Sequence, residues 1–169
     1  KDGTIIPTKS LPCLTVDGVS ICQTGAIARF CGKLSGLYPN DDYLACAFID
    51  QILDTCSDIT NALSYPPNFQ NENDQEKFRK SLYQVDGKLT KYFKALNLII
   101  KDYNVIINDL SPSLHFTIGD LATWGIVKWF KSGVIDYIPT NIADSYTDLI
   151  LTHNRISELK TVQEWLSKK

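Results

Sequence analysis

A chain of 169 residues, 44% apolar and 21% charged, carries enough hydrophobic material for one good core and a small second lobe, which excludes a disordered protein. Its 17 basic and 19 acidic residues are interspersed and leave a net charge of −2, so neither nucleic acid nor an anionic membrane is an expected partner. No apolar run approaches the roughly 20 residues of a membrane-crossing helix, and the start of the chain lacks a signal-peptide pattern, so the expectation is a soluble, cytoplasmic protein.

The first predicted elements are two short strands, Leu11 to Val16 and Val19 to Cys22, joined by Asp17-Gly18. Asp-Gly between apolar runs is the strongest short-range signal for a hairpin. Gln23-Thr24-Gly25 then opens an apolar-periodic helix through Ala26, Ile27, Phe30 and Leu34 that stops around Gly32 to Gly36. A lone hairpin is marginal in water, so further sheet upstream is expected to complete it. The absence of any Met, position 1 included, also points to residues before Lys1.

After Tyr38-Pro39-Asn40 the chain reads as helix throughout. Leu44, Phe48, Ile49, Ile52, Leu53, Cys56, Ile59 and Leu63 recur at steps of three and four, and Pro66-Pro67 ends that helix. A second long helix places Phe78, Leu82, Val85, Leu89, Phe93 and Leu96 on one face, with Gly87 weakening but not breaking it. A third starts at Thr117 and is apolar nearly all round, which predicts burial on every side. Two amphipathic helices, about 145–159 and 161–168, close the chain.

Several residues invite a chemical reading. Pro12 at a strand start is either a proline tolerated where no ladder donor is needed, or a cis-proline that opens a backbone edge to an extended peptide. Thr24 stands at the expected N-cap, where it caps the helix or helps the helix dipole bind a carboxylate. Asp50, Asp54 and Asp58 form an i, i+4, i+8 stripe, either a solvated acidic face or one compensated by cations from elsewhere. Thr117-Ile118-Gly119-Asp120 is a capping box, a folding signal. His115 and His153 stand alone, and the five cysteines, 13, 22, 31, 46 and 56, never lie closer than nine apart, so they read as free thiols and no metal site is expected.

Taken in order, these pieces resemble the cytosolic glutathione S-transferases, most of all the sigma-type enzymes and their protist relatives. The resemblance rests on Leu11-Pro12-Cys13-Leu14-Thr15-Val16-Asp17-Gly18, Gln23-Thr24, Ala26-Ile27-Ala28-Arg29-Phe30 and Thr117-Ile118-Gly119-Asp120, and spans essentially the whole chain. Thr24 stands for the usual Ser and Gly119 for the usual Ala. The implied fold is mostly α. Residues 1–37 form the β-β-α half of a thioredoxin-like, glutathione-binding domain, and residues 42–169 an all-helical C-terminal domain.

The resemblance further implies that Leu11 pairs its backbone with the cysteinyl part of glutathione, with Pro12 cis and Ser10 flanking. Gln23 and Thr24 hold the γ-glutamyl carboxylate, and Asp58 reaches across a homodimer to the γ-glutamyl amine. From the spacing itself, if two subunits meet about a two-fold axis the same patch faces itself, so Arg29 and Lys33 of one are expected to meet Asp50 and Asp54 of the other at the dimer interface. The implied activity is conjugation of the glutathione thiolate to small electrophiles, with glutathione as co-substrate and no other cofactor. The catalytic Tyr or Ser belongs to an upstream β-α-β segment that this sequence does not contain. The alternative is a non-catalytic module of the same fold used for protein contacts.

Overall fold

Asp17 and Gly18 both take positive φ, 48° and 82°, the pair of left-handed residues that a type I′ turn requires. This holds in a computed structural model that describes residues 6, 8–39, 41–64, 69, 71–110 and 116–168, with backbone alone at 108–110. The turn joins β1 (Cys13–Val16) to β2 (Val19–Cys22) in an antiparallel pair whose register sets Cys13 against Cys22 and Val16 against Val19. β1 begins two residues later than expected, because Pro12 has no N–H to give to a ladder. The Leu11-Pro12 bond is cis. The register brings Leu11-Pro12, just before β1, and Gln23-Thr24, just after β2, to the same end of the hairpin.

Seven helices follow among the described residues: α1 (Thr24–Ser35), α2 (Tyr43–Ser64), α3 (Glu72–Leu82), α4 (Lys88–Leu110), α5 (Ile118–Lys131), α6 (Thr147–Ser157) and α7 (Lys160–Ser167). Gly36 ends α1 in the left-handed conformation, φ 73°, and its amide donates to the Gly32 carbonyl. Gly32 itself is a close-approach residue: a Cβ there would lie 2.8 Å from Ile118 Cγ2 and 3.1 Å from Tyr38 Cβ. Bare backbone at that point lets α1 lie against the start of α5.

The buried stripe of α2 runs Ala45, Ile49, Ile52, Cys56, Ile59 and Leu63, steps of three and four that leave Leu44 off the seam and 52% exposed. Leu44 is therefore not the core residue its place in the periodic pattern predicts. The stripe packs on Leu89, Phe93, Leu96, Ile100 and Tyr103 of α4 and on Val127 and Phe130 of α5, all at most 1% exposed. Phe93 and Phe130 meet edge to face, with centroids 5.0 Å apart.

Two expectations are corrected. The predicted second long helix is two helices, because the chain breaks after Leu82 and restarts at Lys88. Gly87 sits in the break, where a Cβ would come within 2.2 Å of the Leu82 carbonyl oxygen, and Val85 is 89% exposed rather than in the core. Second, α5 is not buried on every side. Ile118, Ile126, Val127 and Phe130 are buried, whereas Leu121, Ala122 and Gly125 are half-buried along a cleft.

The N-terminus of α5 follows the sequence signal closely. Thr117 caps it, and Asp120 returns a bond to the Thr117 amide at 2.7 Å, completing the capping box. Gly119 packs against Ile52, whose Cδ1 would be 3.2 Å from an added Cβ. Asp120 does more than cap. It is 1% exposed and also binds Arg155 Nη2 of α6 at 2.6 Å, tying two helices together. The last two helices start and end within about two residues of their predicted bounds. Pro66, Pro67 and His115 lie outside the described residues. No helix among the described residues is long and apolar enough to cross a membrane.

Candidate functional site

A cleft of about 620 Å³ opens between the N-terminal half of α1, the C-terminal half of α2 and the half-buried face of α5. Its apolar wall comes from Ala28, Leu53, Ile118, Leu121, Ala122 and Ile126, and its polar wall from Ser57, Thr60 and Asn61. Gln23 and Thr24 stand exposed at its rim. An apolar cavity with a few polar groups on one side is the usual shape of a small-molecule site.

The start of α1 is built differently from the prediction. Gln23, not Thr24, precedes the helix, and Thr24 is its first residue. No side chain caps the helix, and the first turn holds no acidic residue. The leading N–H groups and the positive end of the dipole therefore face outward without a side-chain anion, an arrangement that attracts a carboxylate. Gln23 has φ 74° and ψ 124°, a conformation that a residue with a side chain adopts at a cost of about 1–3 kcal/mol and that tends to occur where ligands are clamped.

At the same end of the hairpin, Leu11 is 81% exposed beside the cis Pro12, and the exposed Ser10 donates to Thr8 Oγ1 at 3.1 Å. The structure thus gathers Ser10, Leu11, Pro12, Gln23 and Thr24 at one place, as the hairpin register requires.

The aspartate stripe has a partner inside the chain. Arg29 Nε binds Asp50 Oδ1 at 2.6 Å and Nη2 binds Asp54 Oδ1 at 3.1 Å, while the Tyr38 hydroxyl donates to Asp50 Oδ1 at 3.1 Å. Within the chain, the first turns of α1 lie close enough to α2 for one guanidinium to bridge two carboxylates one turn apart. Partial burial works against the Arg29 charge, but the two carboxylates outweigh it and hold the pKa above its ordinary value. Burial, with hydrogen bonds to Cys46 and Asp50, keeps the Tyr38 phenol protonated far into the alkaline range.

Lys33 does not join the stripe, for its ammonium sits 5.7 Å over the Tyr38 ring. Asp58, one turn beyond Asp54, is exposed and makes no ion pair among the described residues. His153 is half-buried and within 3.3 Å of Asn154 Oδ1, away from the cleft. No cluster of three potential metal ligands occurs among the described residues.

Sequence reasoning missed Ser57, Thr60 and Asn61. They lie on α2 at helical spacing, but nothing in the pattern separates such a row from a solvated face. The hydroxyls of Ser57 and Thr60 donate to the carbonyls of Leu53 and Cys56, one turn back.

No family model matches the chain. Individual relatives do. Hematopoietic prostaglandin D synthase of Gallus gallus is 29% identical over 166 residues, covering 97% of this chain and 75% of its own length. A glutathione S-transferase of Anopheles gambiae is 25% identical with the same coverage, and glutathione S-transferase S1 of Drosophila melanogaster is 26% identical over 97% of this chain and 61% of its own length. Among solved structures, prostaglandin synthase D of Nilaparvata lugens superposes with a TM-score of 0.75 at 24% identity, over 96% of this chain and 76% of that one. The fold is thus a mostly helical transferase fold, with a β-β-α portion ahead of the helical part. In sequence the chain is thus similar, over nearly its whole length, to glutathione S-transferases and to hematopoietic prostaglandin D synthases.

Proposed function

We propose that the protein binds glutathione at the hairpin end, holds its sulfur as thiolate and adds it to small electrophiles. It does so as a homodimeric cytoplasmic enzyme with glutathione as co-substrate and no metal. The observation that carries this reading is that Leu11-Pro12 and Gln23-Thr24 flank the same end of the hairpin, with Gln23 and Thr24 also lining the cleft. An extended tripeptide needs a free backbone edge and an anchor for its terminal carboxylate, and these two segments supply them side by side.

In detail, the Leu11 backbone pairs with the cysteinyl unit beside Pro12 and Ser10, while Gln23 and Thr24 take the γ-glutamyl carboxylate. Asp58 is directed to the γ-glutamyl amine in the neighbouring subunit. Arg29, Lys33, Asp50 and Asp54 lie at the subunit contact, with Arg29 stiffening its own side of it. Residues 1–37 act as the glutathione-binding part and 42–169 as the helical domain whose apolar face meets the electrophile. The hydroxyl that supports the thiolate is not among these residues.

Calorimetric titration with glutathione tests the assignment. Thr24→Ala removes a charge-assisted hydrogen bond, and the expected loss of affinity is about 1.5–3 kcal/mol, with Thr24→Ser retaining most of it. Unchanged affinity in Thr24→Ala overturns the carboxylate role. Conjugation of glutathione to an activated chloronitrobenzene then separates an enzyme from a non-catalytic module, which binds glutathione without consuming it. A second reading, formation of a prostaglandin D, is favoured by the names of the bird, mouse, rat and human relatives, and turnover of a prostaglandin endoperoxide decides it.

A further inference from the structure

The sequence spacing treats Cys13 and Cys22 as unrelated thiols, but the fold makes them partners. They face each other across the open end of the β1–β2 hairpin. In a hairpin closed by a two-residue turn, the residues flanking the turn exchange hydrogen bonds, and the pairs alternate from there. Val16 with Val19 and Leu14 with Ile21 are then hydrogen-bonded pairs, while Thr15 with Ser20 and Cys13 with Cys22 are not.

The distinction decides the chemistry. Partners in a non-hydrogen-bonded pair have Cα atoms about 4.5 Å apart with both side chains on one face, inside the roughly 4.4–6.8 Å span that a disulfide bridges. Both thiols are free and half-buried, so a small oxidant reaches them. They are also unlike each other. A hydrogen bond from the Thr8 side chain lowers the Cys22 pKa, while the hydrogen bond to Cys22 raises that of Cys13. One sulfur is thus biased toward thiolate, with a protonated partner beside it. The other cysteines lack such a neighbour: Cys56 is buried, Cys46 donates to the Pro39 carbonyl at 3.0 Å, and Cys31 lies on α1.

We propose that Cys13 and Cys22 form a reversible cross-strand dithiol–disulfide pair, oxidised by hydroperoxides and reduced by small thiols. The Cys22 thiolate attacks the peroxide O–O bond; an S–O bond forms, the O–O bond breaks, and the departing oxygen takes a proton as water or alcohol. The sulfur is now a sulfenic acid. Cys13 attacks it and gives up its proton, the S–S bond forms, and hydroxide leaves as water. Two thiols and one hydroperoxide yield one disulfide, one water, and one further water or alcohol. Two small thiol molecules reverse the bond by exchange and leave as their own disulfide. The pair stands between Pro12 and Gln23 in the fold, but its chemistry does not depend on what occupies the cleft.

The test uses the full protein, hydrogen peroxide as oxidant, and alkylation under denaturing conditions followed by peptide mapping. Peroxide should lower the five thiols of the chain to three and produce one linked peptide containing Cys13 and Cys22, and reduced glutathione should restore all five. In Cys13→Ser, a sulfenic acid should accumulate at Cys22 and be trapped by dimedone; in Cys22→Ser, Cys13 should stay reduced. Retention of all five thiols at peroxide levels that oxidise a free small thiol, or linkage through any other cysteine or between chains, overturns the proposal. The wild-type measurement decides even where a variant folds poorly.

Discussion

Replacing Asp120 by alanine removes three contacts of one buried carboxylate, with the Thr117 amide, the Thr117 hydroxyl and Arg155. The side chain is 2% exposed, accepts from the Thr117 amide at 2.7 Å and pairs with Arg155 at 2.6 Å. Loss of the capping function is worth about 1 kcal/mol, and stranding the buried Thr117 amide adds about 1–3 kcal/mol. The Arg155 side chain is 44% exposed, so the contribution of its pair with Asp120 falls at the low end of the range for ion pairs. The sum is about 3 kcal/mol, or a fall of roughly 6–12 °C in Tm for a chain of this size. Urea unfolding followed by far-UV circular dichroism should show a lower midpoint with an unchanged slope. Asp120→Asn, which keeps an acceptor for the Thr117 amide, should lose about half as much. A midpoint for Asp120→Ala equivalent to less than about 0.5 kcal/mol would refute the view that α5 and α6 are locked through this group.

Three further outcomes follow from the same fold. Gly87→Ala should destabilise by about 1–3 kcal/mol, since the new Cβ meets backbone rather than a movable side chain; a gain of up to about 1 kcal/mol would instead indicate a continuous helix through residues 72–110. Arg29→Ala should lower stability by about 1 kcal/mol at every protein concentration, because its two carboxylates belong to the same chain; a loss that vanishes on concentrating the sample would show that the pairing runs between subunits instead. Burial pushes the Cys56 thiol from 9.0 up to about 12, so the fold favours the protonated form and stability contributed there is present below pH 9 and declines as pH rises toward 12; Cys56→Ser should flatten that alkaline limb, and an unchanged limb counts against it.

What the sequence made legible was local. Asp17-Gly18 specifies its turn through two residues that tolerate positive φ, Thr117 and Asp120 satisfy each other three positions apart, and Gly36 ends α1 by a left-handed cap. Each signal needs only its neighbours. The break at Gly87 escaped notice because the apolar period continues across it: Leu82 and Leu89 are both buried and seven residues apart, yet they lie on two separate helices. Periodicity reports which side faces the core and is silent on whether the backbone is continuous.

The site divides in the same way. Leu11-Pro12 and Gln23-Thr24 could be named from the chain because their meeting depends only on hairpin register, which the turn fixes. The partner of the aspartate stripe could not, since Arg29 reaches Asp50 across 21 residues and through the packing of α1 on α2. The all-round apolar character of α5 poses the same problem. Its sequence requires that no face meet bulk water, yet it cannot distinguish a face covered by another helix from one that lines a cleft. In this fold Val127 and Phe130 take the first role and Leu121 and Ala122 the second. Only tertiary contacts divide them, so the apolar wall of a binding cleft is hidden in a sequence wherever it shares a helix with the core.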